Sequence, residues 1–121
     1  MGMNTRNIGT HYEEAAIEYL KSQGITIIDR NVVCGKVGEI DIIGREADKG
    51  KDEVHTLIFF EVKYRKNTKY GHAAQAVNAS KQNKIRRCAE YYLAYRNTDD
   101  YIRFDVLAID GEEISWYKNA F

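Results

Sequence analysis

The apolar positions fall into two kinds of pattern along the chain. Ile8, Tyr12, Ala15, Ala16, Tyr19 and Leu20 recur at i, i+4, i+7, i+8, i+11 and i+12. That spacing lays one stripe along an α-helix. Gly24 stands just past its end, where a left-handed residue commonly stops a helix. A β-rich run follows from Ile25 to Val33, then a turn over Gly35–Gly38 and a second strand over Glu39–Arg45. Val54–Tyr64 is the strongest strand, carrying Leu57, Ile58, Phe59, Phe60, Val62 and Tyr64. Helical spacing returns at Ile85, Cys88, Ala89, Tyr92 and Leu93. This predicts a helix over Ala79–Tyr95 with Asn78 as its N-cap. Two strands close the chain, Tyr101–Ile109 and Glu113–Lys118, joined by Asp110-Gly111, a strong hairpin signal.

The predicted order is therefore α-β-β-β-α-β-β. Short connections favour antiparallel pairing of the first three strands, and the long second helix serves as a crossover to the fourth. Polar segments, Ala47–Glu53 and the basic Arg65–Gly71, read as loops, and Gly71–Val77 as a short helical turn. The 121 residues form one α/β domain, 1–121, with a five-stranded mixed sheet flanked by helices.

Composition narrows the class. Hydrophobic residues make up 44% and charged residues 30%, which excludes a disordered chain. No apolar run approaches the roughly 20 residues of a membrane span. Met1–Gly9 is polar and lacks the apolar core of a signal peptide. Cys34 and Cys88 are too few for a disulfide framework and lack metal-site spacing. A reducing, cytoplasmic setting is expected.

Net charge is zero, yet its distribution is uneven. From Val62 to Arg96 there are nine basic residues and one acid, Glu90, a local +8 balanced by −8 elsewhere. Such asymmetry suggests a basic face for an anionic partner. Lys81, Lys84 and Arg87 fall at i, i+3 and i+6 on the second helix and could meet phosphates, with Arg65, Lys66 and Lys69 of the basic loop adding to them. Trp116 and most of the nine tyrosines are expected in the core or at its rim rather than as platforms for bases. His11, His55 and His72 are scattered and carry no catalytic expectation.

Two strand positions break the apolar pattern. Glu61 and Lys63, within Phe60-Glu61-Val62-Lys63, share one strand face, while Ile58, Phe60 and Val62 point to the core. An acid and an amine there are costly to bury without partners. Asp41 interrupts Ile40-Asp41-Ile42-Ile43, and aspartate is a poor strand former. A hairpin of these strands brings Asp41 toward Glu61. Two carboxylates at close quarters repel unless a cation or a proton lies between them. Mg²⁺ or Mn²⁺ takes such oxygen ligands.

Asp41 followed 20 residues later by Glu61-x-Lys63 resembles the PD-(D/E)xK signature of restriction-endonuclease-like nucleases. The chain resembles most the YraN-like family of small bacterial proteins assigned as endonucleases, in the branch of Holliday-junction resolvases. The resemblance rests on Glu13-x-x-Ala16-x-x-Tyr19-Leu20, Asn31, Gly38-Glu39-Ile40-Asp41-Ile42-Ile43 and Phe60-Glu61-Val62-Lys63-Tyr64-Arg65. It continues through Gly71, Ala76-Val77, Lys81, Tyr92-Leu93 and Arg103-Phe104-Asp105-Val106. Ile40 stands where restriction enzymes commonly carry proline, and the Glu46–His55 loop is longer and more charged than the family suggests.

The resemblance implies a restriction-endonuclease-like fold and a Mg²⁺- or Mn²⁺-dependent DNA endonuclease acting on branched or structured DNA. Asp41, Glu61 and the Val62 carbonyl would hold the ion, and Glu13 on the first helix a second ion or a metal water. Lys63 would orient the attacking water and stabilise the transition state. Arg65, Lys81, Lys84 and Arg87 would contact DNA, and cutting both strands would call for a homodimer. A nucleic-acid-binding module of the same fold, with little cleavage alone, is the alternative. Glu39 is expected to be structural or to support the site from behind its ligands, and Asp105, next to Arg103, to be structural.

Overall fold

The computed structural model describes residues 5–47, 55–65, 77–96 and 98–121, with the backbone alone for 5–10 and 65. Seven elements follow in the expected order: α1 (Thr5–Ser22), β1 (Thr26–Cys34), β2 (Gly38–Ala47), β3 (His55–Arg65), α2 (Ala79–Ala94), β4 (Tyr101–Asp110) and β5 (Glu113–Tyr117). The expected Gly71–Val77 turn and most of the two polar loops lie outside the described residues.

The local signals act where the sequence places them. Gly24, at φ 87°, ends α1, and its successor Ile25 donates its N–H back to Leu20 at 3.0 Å. Asn78 caps α2 by accepting from the Lys81 N–H at 2.9 Å. Gly111, at φ 66°, turns the chain between Asp110 and Glu113, which face each other across the β4–β5 hairpin.

The five strands pair in sequence order, β1-β2-β3-β4-β5. All neighbours are antiparallel except β3 and β4, which run parallel as the α2 crossover requires. Strand alternation on β3 divides the core into two layers. Ile58 and Phe60 pack with Ala16, Ile17 and Leu20 of α1, and Val62 packs against this group. Leu57 and Phe59 pack with Ile85, Cys88 and Ala89 of α2. Phe59 and Phe60 are fully buried. Each such side chain contributes about 1.5–3 kcal/mol by leaving water.

Two features depart from the sequence reading. Cys34, at the end of β1, and Cys88, on α2, form a disulfide across 54 residues of sequence, with their Cα atoms 5.4 Å apart. The pair is a single tie between sheet and helix, which counting cysteines against a framework does not foresee. On β2 the two-residue alternation fails: Ile40 and Ile43 pack in the α2 layer and Ile42 in the α1 layer. The irregularity centres on Asp41. Its place opposite β1 falls at Asn31, between the pairs Arg30–Ile42 and Val32–Ile40, and Asn31 has φ 51°.

Gly44 sits in β2 where Ile25 and the Phe60 ring close in. A Cβ there would lie 2.6 Å from Ile25 Cγ2 and 3.0 Å from the Phe60 ring. Gly44→Ala is expected to lower stability by about 1–3 kcal/mol, the range for overpacking a filled core. Urea unfolding of both proteins measures this. An unchanged midpoint would show that Ile25 moves aside freely.

Candidate active site at the parting of two strands

The β2–β3 ladder runs from Ala47–His55 to Ile42–Phe60 and stops there. The next facing positions in that register are Asp41 and Glu61. Beyond the last pair the Val62 N–H takes a side-chain acceptor: it donates to Asp41 Oδ2 at 2.8 Å. The hairpin thus brings together the two carboxylates that the spacing of Asp41 and Glu61 suggested.

Glu61 is 3% exposed, an acid in the sheet interior. Two ammonium groups compensate it. Lys63 Nζ and Lys81 Nζ each lie 3.5 Å from Glu61 Oε1. Lys63 shares the strand face of Glu61, as alternation requires. Lys81 comes from the first turn of α2, held in place by the Asn78 cap that bonds its own N–H. The expectation groups it with Lys84 and Arg87 as a phosphate contact; in the structure it also pairs with Glu61, with 38% of its side chain exposed. At 100° per residue, Lys81 lies about 60° round the helix from Lys84, on the side turned to the sheet. Lys84 and Arg87 are exposed, as expected. The Arg65 side chain and Lys66 and Lys69 lie outside the described residues.

Among the described residues no ion pair is formed by Asp41. Burial first, and then the charge of Glu61, push its carboxyl up to about 7; the Val62 N–H pulls the other way, and Glu13 and Glu39 add to the rise. Glu13 stands at the edge of this group. Its helix is fixed to β3 by Tyr12, whose ring stacks on Tyr64 at 3.6 Å. Its carboxylate lies 4.0 Å from Arg30, which binds Glu14 more closely at 2.7 Å. Val62 is represented in the site by its N–H, the group that fixes Asp41.

Among the described residues, no three His, Cys, Asp or Glu side chains converge to hold a metal ion. Asp41 and Glu61 nonetheless fit a hard divalent cation. They are oxygen donors, and Mg²⁺ is commonly held by one or two carboxylates, its remaining positions filled by water and substrate phosphate. The carboxyl held protonated to about 7 marks the place where positive charge is lacking.

A second buried carboxylate shows the contrast. Asp105 is fully buried, yet it accepts from Arg103 Nε and Nη2 at 2.9 Å each, Trp116 Nε1 at 2.8 Å and the Asn119 N–H at 2.8 Å. Every demand of that group is met within β4, β5 and the tail, which is the structural role expected of it.

The state of Asp41 sets a pH dependence. An unfolded aspartate ionises near 3.8, whereas the folded carboxyl keeps its proton to about 7. Between these values the native state binds more protons, so stability falls as pH rises through that window. With metal chelated, wild type is expected to lose stability between about pH 4 and about pH 7, and Asp41→Asn to lose less. Urea unfolding across this range tests it; parallel curves would mean that Asp41 ionises as in water.

The match to other proteins is extensive. Residues 12–109 match the model of the uncharacterised protein family UPF0102. A UPF0102 protein of Fusobacterium nucleatum is 44% identical over 118 residues, covering 97% of this chain and 92% of the relative. One from Vibrio vulnificus strain YJ016 is 44% identical over 126 residues, covering 99% and 97%. Another, from Shewanella loihica, is 42% identical over 113 residues, covering 93% and 92%. The matched span runs from Tyr12 on α1 to Ile109 on β4 and so includes every residue of the carboxylate–lysine group, and the chain belongs to the UPF0102 family.

Proposed function

We propose that this protein is a Mg²⁺- or Mn²⁺-dependent endonuclease that hydrolyses phosphodiester bonds of DNA, with branched or otherwise structured DNA as its substrate. One observation carries the reading: two carboxylates, Asp41 and Glu61, face each other where β2 and β3 part, and two lysines reach Glu61. The resemblance of Asp41, Glu61 and Lys63 to the PD-(D/E)xK signature supports it, as does the run of positive charge from Val62 to Arg96.

Asp41 and Glu61 would hold the cation, with Glu13 at the rim and the Val62 carbonyl as a further oxygen donor. Once bound, the cation lowers the pKa of water and offsets charge on the scissile phosphate. The chain itself does the rest. The Val62 N–H keeps Asp41 aimed into the gap. Glu61 fixes the Lys63 ammonium, which orients the attacking water and faces the negative charge that grows on the phosphate oxygens. Lys81 adds a second positive group from the other wall of the site. Lys84, Arg87 and Arg65 meet flanking phosphates, which set position without reading sequence. A cut through both strands requires two copies of the chain.

A second reading, a DNA-binding module with little cleavage alone, draws on one feature. Glu61 is already neutralised by two lysines, and among the described residues no third acidic ligand joins it and Asp41.

Incubation of linear, flapped and four-way DNA with Mg²⁺ or Mn²⁺ tests the proposal. Asp41→Asn, Glu61→Gln and Lys63→Ala are each expected to lose about 100-fold or more in rate while keeping the fold. Pairs of these changes should cost little more than one, because the groups act as a unit. Divalent ions should raise the melting temperature of wild type and not of Glu61→Gln. Cleavage that survives in Asp41→Asn would place the nuclease elsewhere. DNA binding without cleavage in wild type would favour the binding module.

A further inference from the structure

A groove of about 520 Å³ lies on the α2 side, away from the carboxylates. Val33, Lys36 and Val37 of the β1–β2 hairpin line one wall, and Tyr91 and Tyr92 of α2 with Tyr95, its C-cap, the other. The Cys34–Cys88 disulfide ties the two walls together. Three of these apolar groups are unusually open: Val33 is 67% exposed, Tyr91 52% and Tyr95 90%. A tyrosine at 90% exposure holds no core in place.

The helix register joins this groove to the site. At 100° per residue, Lys84, Tyr91 and Tyr95 fall within about 40° of one another, and Arg87 within about 80° of all three. Lys81, at the start of the same helix, touches Glu61. From Lys81 to Tyr95 the helix rises about 21 Å, at 1.5 Å per residue. A Cβ at Gly38, at the inner end of the hairpin, would lie 3.5 Å from Lys84 Cβ, and Asp41 follows three residues later, about 10 Å along β2. The track therefore runs from carboxylates to cations to rings.

We propose that this track binds a single-stranded arm of the nucleic-acid substrate, with unpaired bases stacking on Tyr91 and Tyr95 and phosphates meeting Lys36, Lys84 and Arg87. The inference rests on the nucleic-acid reading of the site and names the form of substrate it takes. Charge selects the occupant. Over Ala79–Ala94 the helix carries four basic residues and one acid, Glu90, which borders Tyr91. Phosphates match that balance, and a base offers each ring a flat face whatever its sequence. Duplex DNA does not serve, because its bases are already stacked on one another and present edges only.

Fluorescence anisotropy in chelator, where no cleavage occurs, tests this with three labelled probes: an oligothymidylate, an abasic strand of equal length and a blunt duplex. Wild type is expected to bind the oligothymidylate about tenfold or more tighter than the abasic strand. Tyr91→Ala with Tyr95→Ala should bring the two strands to equal affinity and leave the duplex unchanged. Tyr91→Phe with Tyr95→Phe should restore the difference, since stacking needs the ring and not the hydroxyl. Equal binding of both strands by wild type would overturn the proposal, as would an equal loss on duplex. A change in oligomeric state without a change in oligothymidylate binding would also overturn it, because the groove would then seat a second copy. Absence of cleavage in Mg²⁺ leaves these binding results intact, so the two readings fail separately.

Discussion

The bond from the Val62 N–H to Asp41 Oδ2 decides the geometry of one end of the sheet. A buried backbone N–H must find an acceptor, and past Ile42–Phe60 the β2 ladder no longer gives one. A carboxylate fills the place of a carbonyl. It meets the demand of the β3 backbone at the end of the ladder. The same substitution keeps β2 and β3 apart beyond this point, so the gap is a consequence of the sheet and not an addition to it. The left-handed Asn31 on the other side of β2 belongs to the same event. With Asn31 at φ 51° and Ile40 and Ile43 in one layer, the strand rotates around Asp41 while apolar neighbours on both sides stay buried.

Charge follows from that constraint. A buried carboxylate needs donors or cations in proportion to its burial. Asp105 obtains four close donor contacts and is inert. Glu61 obtains two ammonium groups at 3.5 Å, a looser arrangement with room for exchange. Asp41 accepts the Val62 N–H and has acidic neighbours in Glu61, Glu13 and Glu39, and with its burial these push its carboxyl up to about 7. A divalent cation or a proton satisfies the same deficit. These three acids differ in what surrounds them rather than in what they are.

Most of the architecture was legible in the residues. Two helical stripes, an apolar strand over residues 57–64, the Asn78 cap and the Asp110-Gly111 turn gave seven elements, their order and their pairing, because each signal is local and each agrees with the others. The approach of Asp41 to Glu61 was legible too, since a hairpin of known register carries facing positions with it. What escaped depended on distances that no local pattern encodes. Spacing sets Lys81 beside Lys84, and only the packing of α2 near the end of β3 brings its ammonium to Glu61. Cys34 and Cys88 are 54 residues apart, and only the packing of α2 on β1 makes them neighbours. Tyr91 and Tyr95 carry the same side chain as the packed Tyr12, so composition could not separate open rings from packed ones. Their exposure does.

One helix connects these surprises. α2 is anchored at two depths: its first turn to Glu61 through Lys81, and its middle to the sheet through Ile85 and Ala89 and to β1 through Cys88. The side facing the sheet is therefore fixed, and so is the side facing away. A rotation that brought Tyr91 or Tyr95 into the core would withdraw Ile85 and Ala89 from it and break the Cys34 tie. Exposure of the two rings is thus not a slack feature of a helix end. It is the cost of holding Lys81 on Glu61 with the same rigid element, and it leaves a cationic and aromatic surface leading away from the carboxylates in a fixed direction.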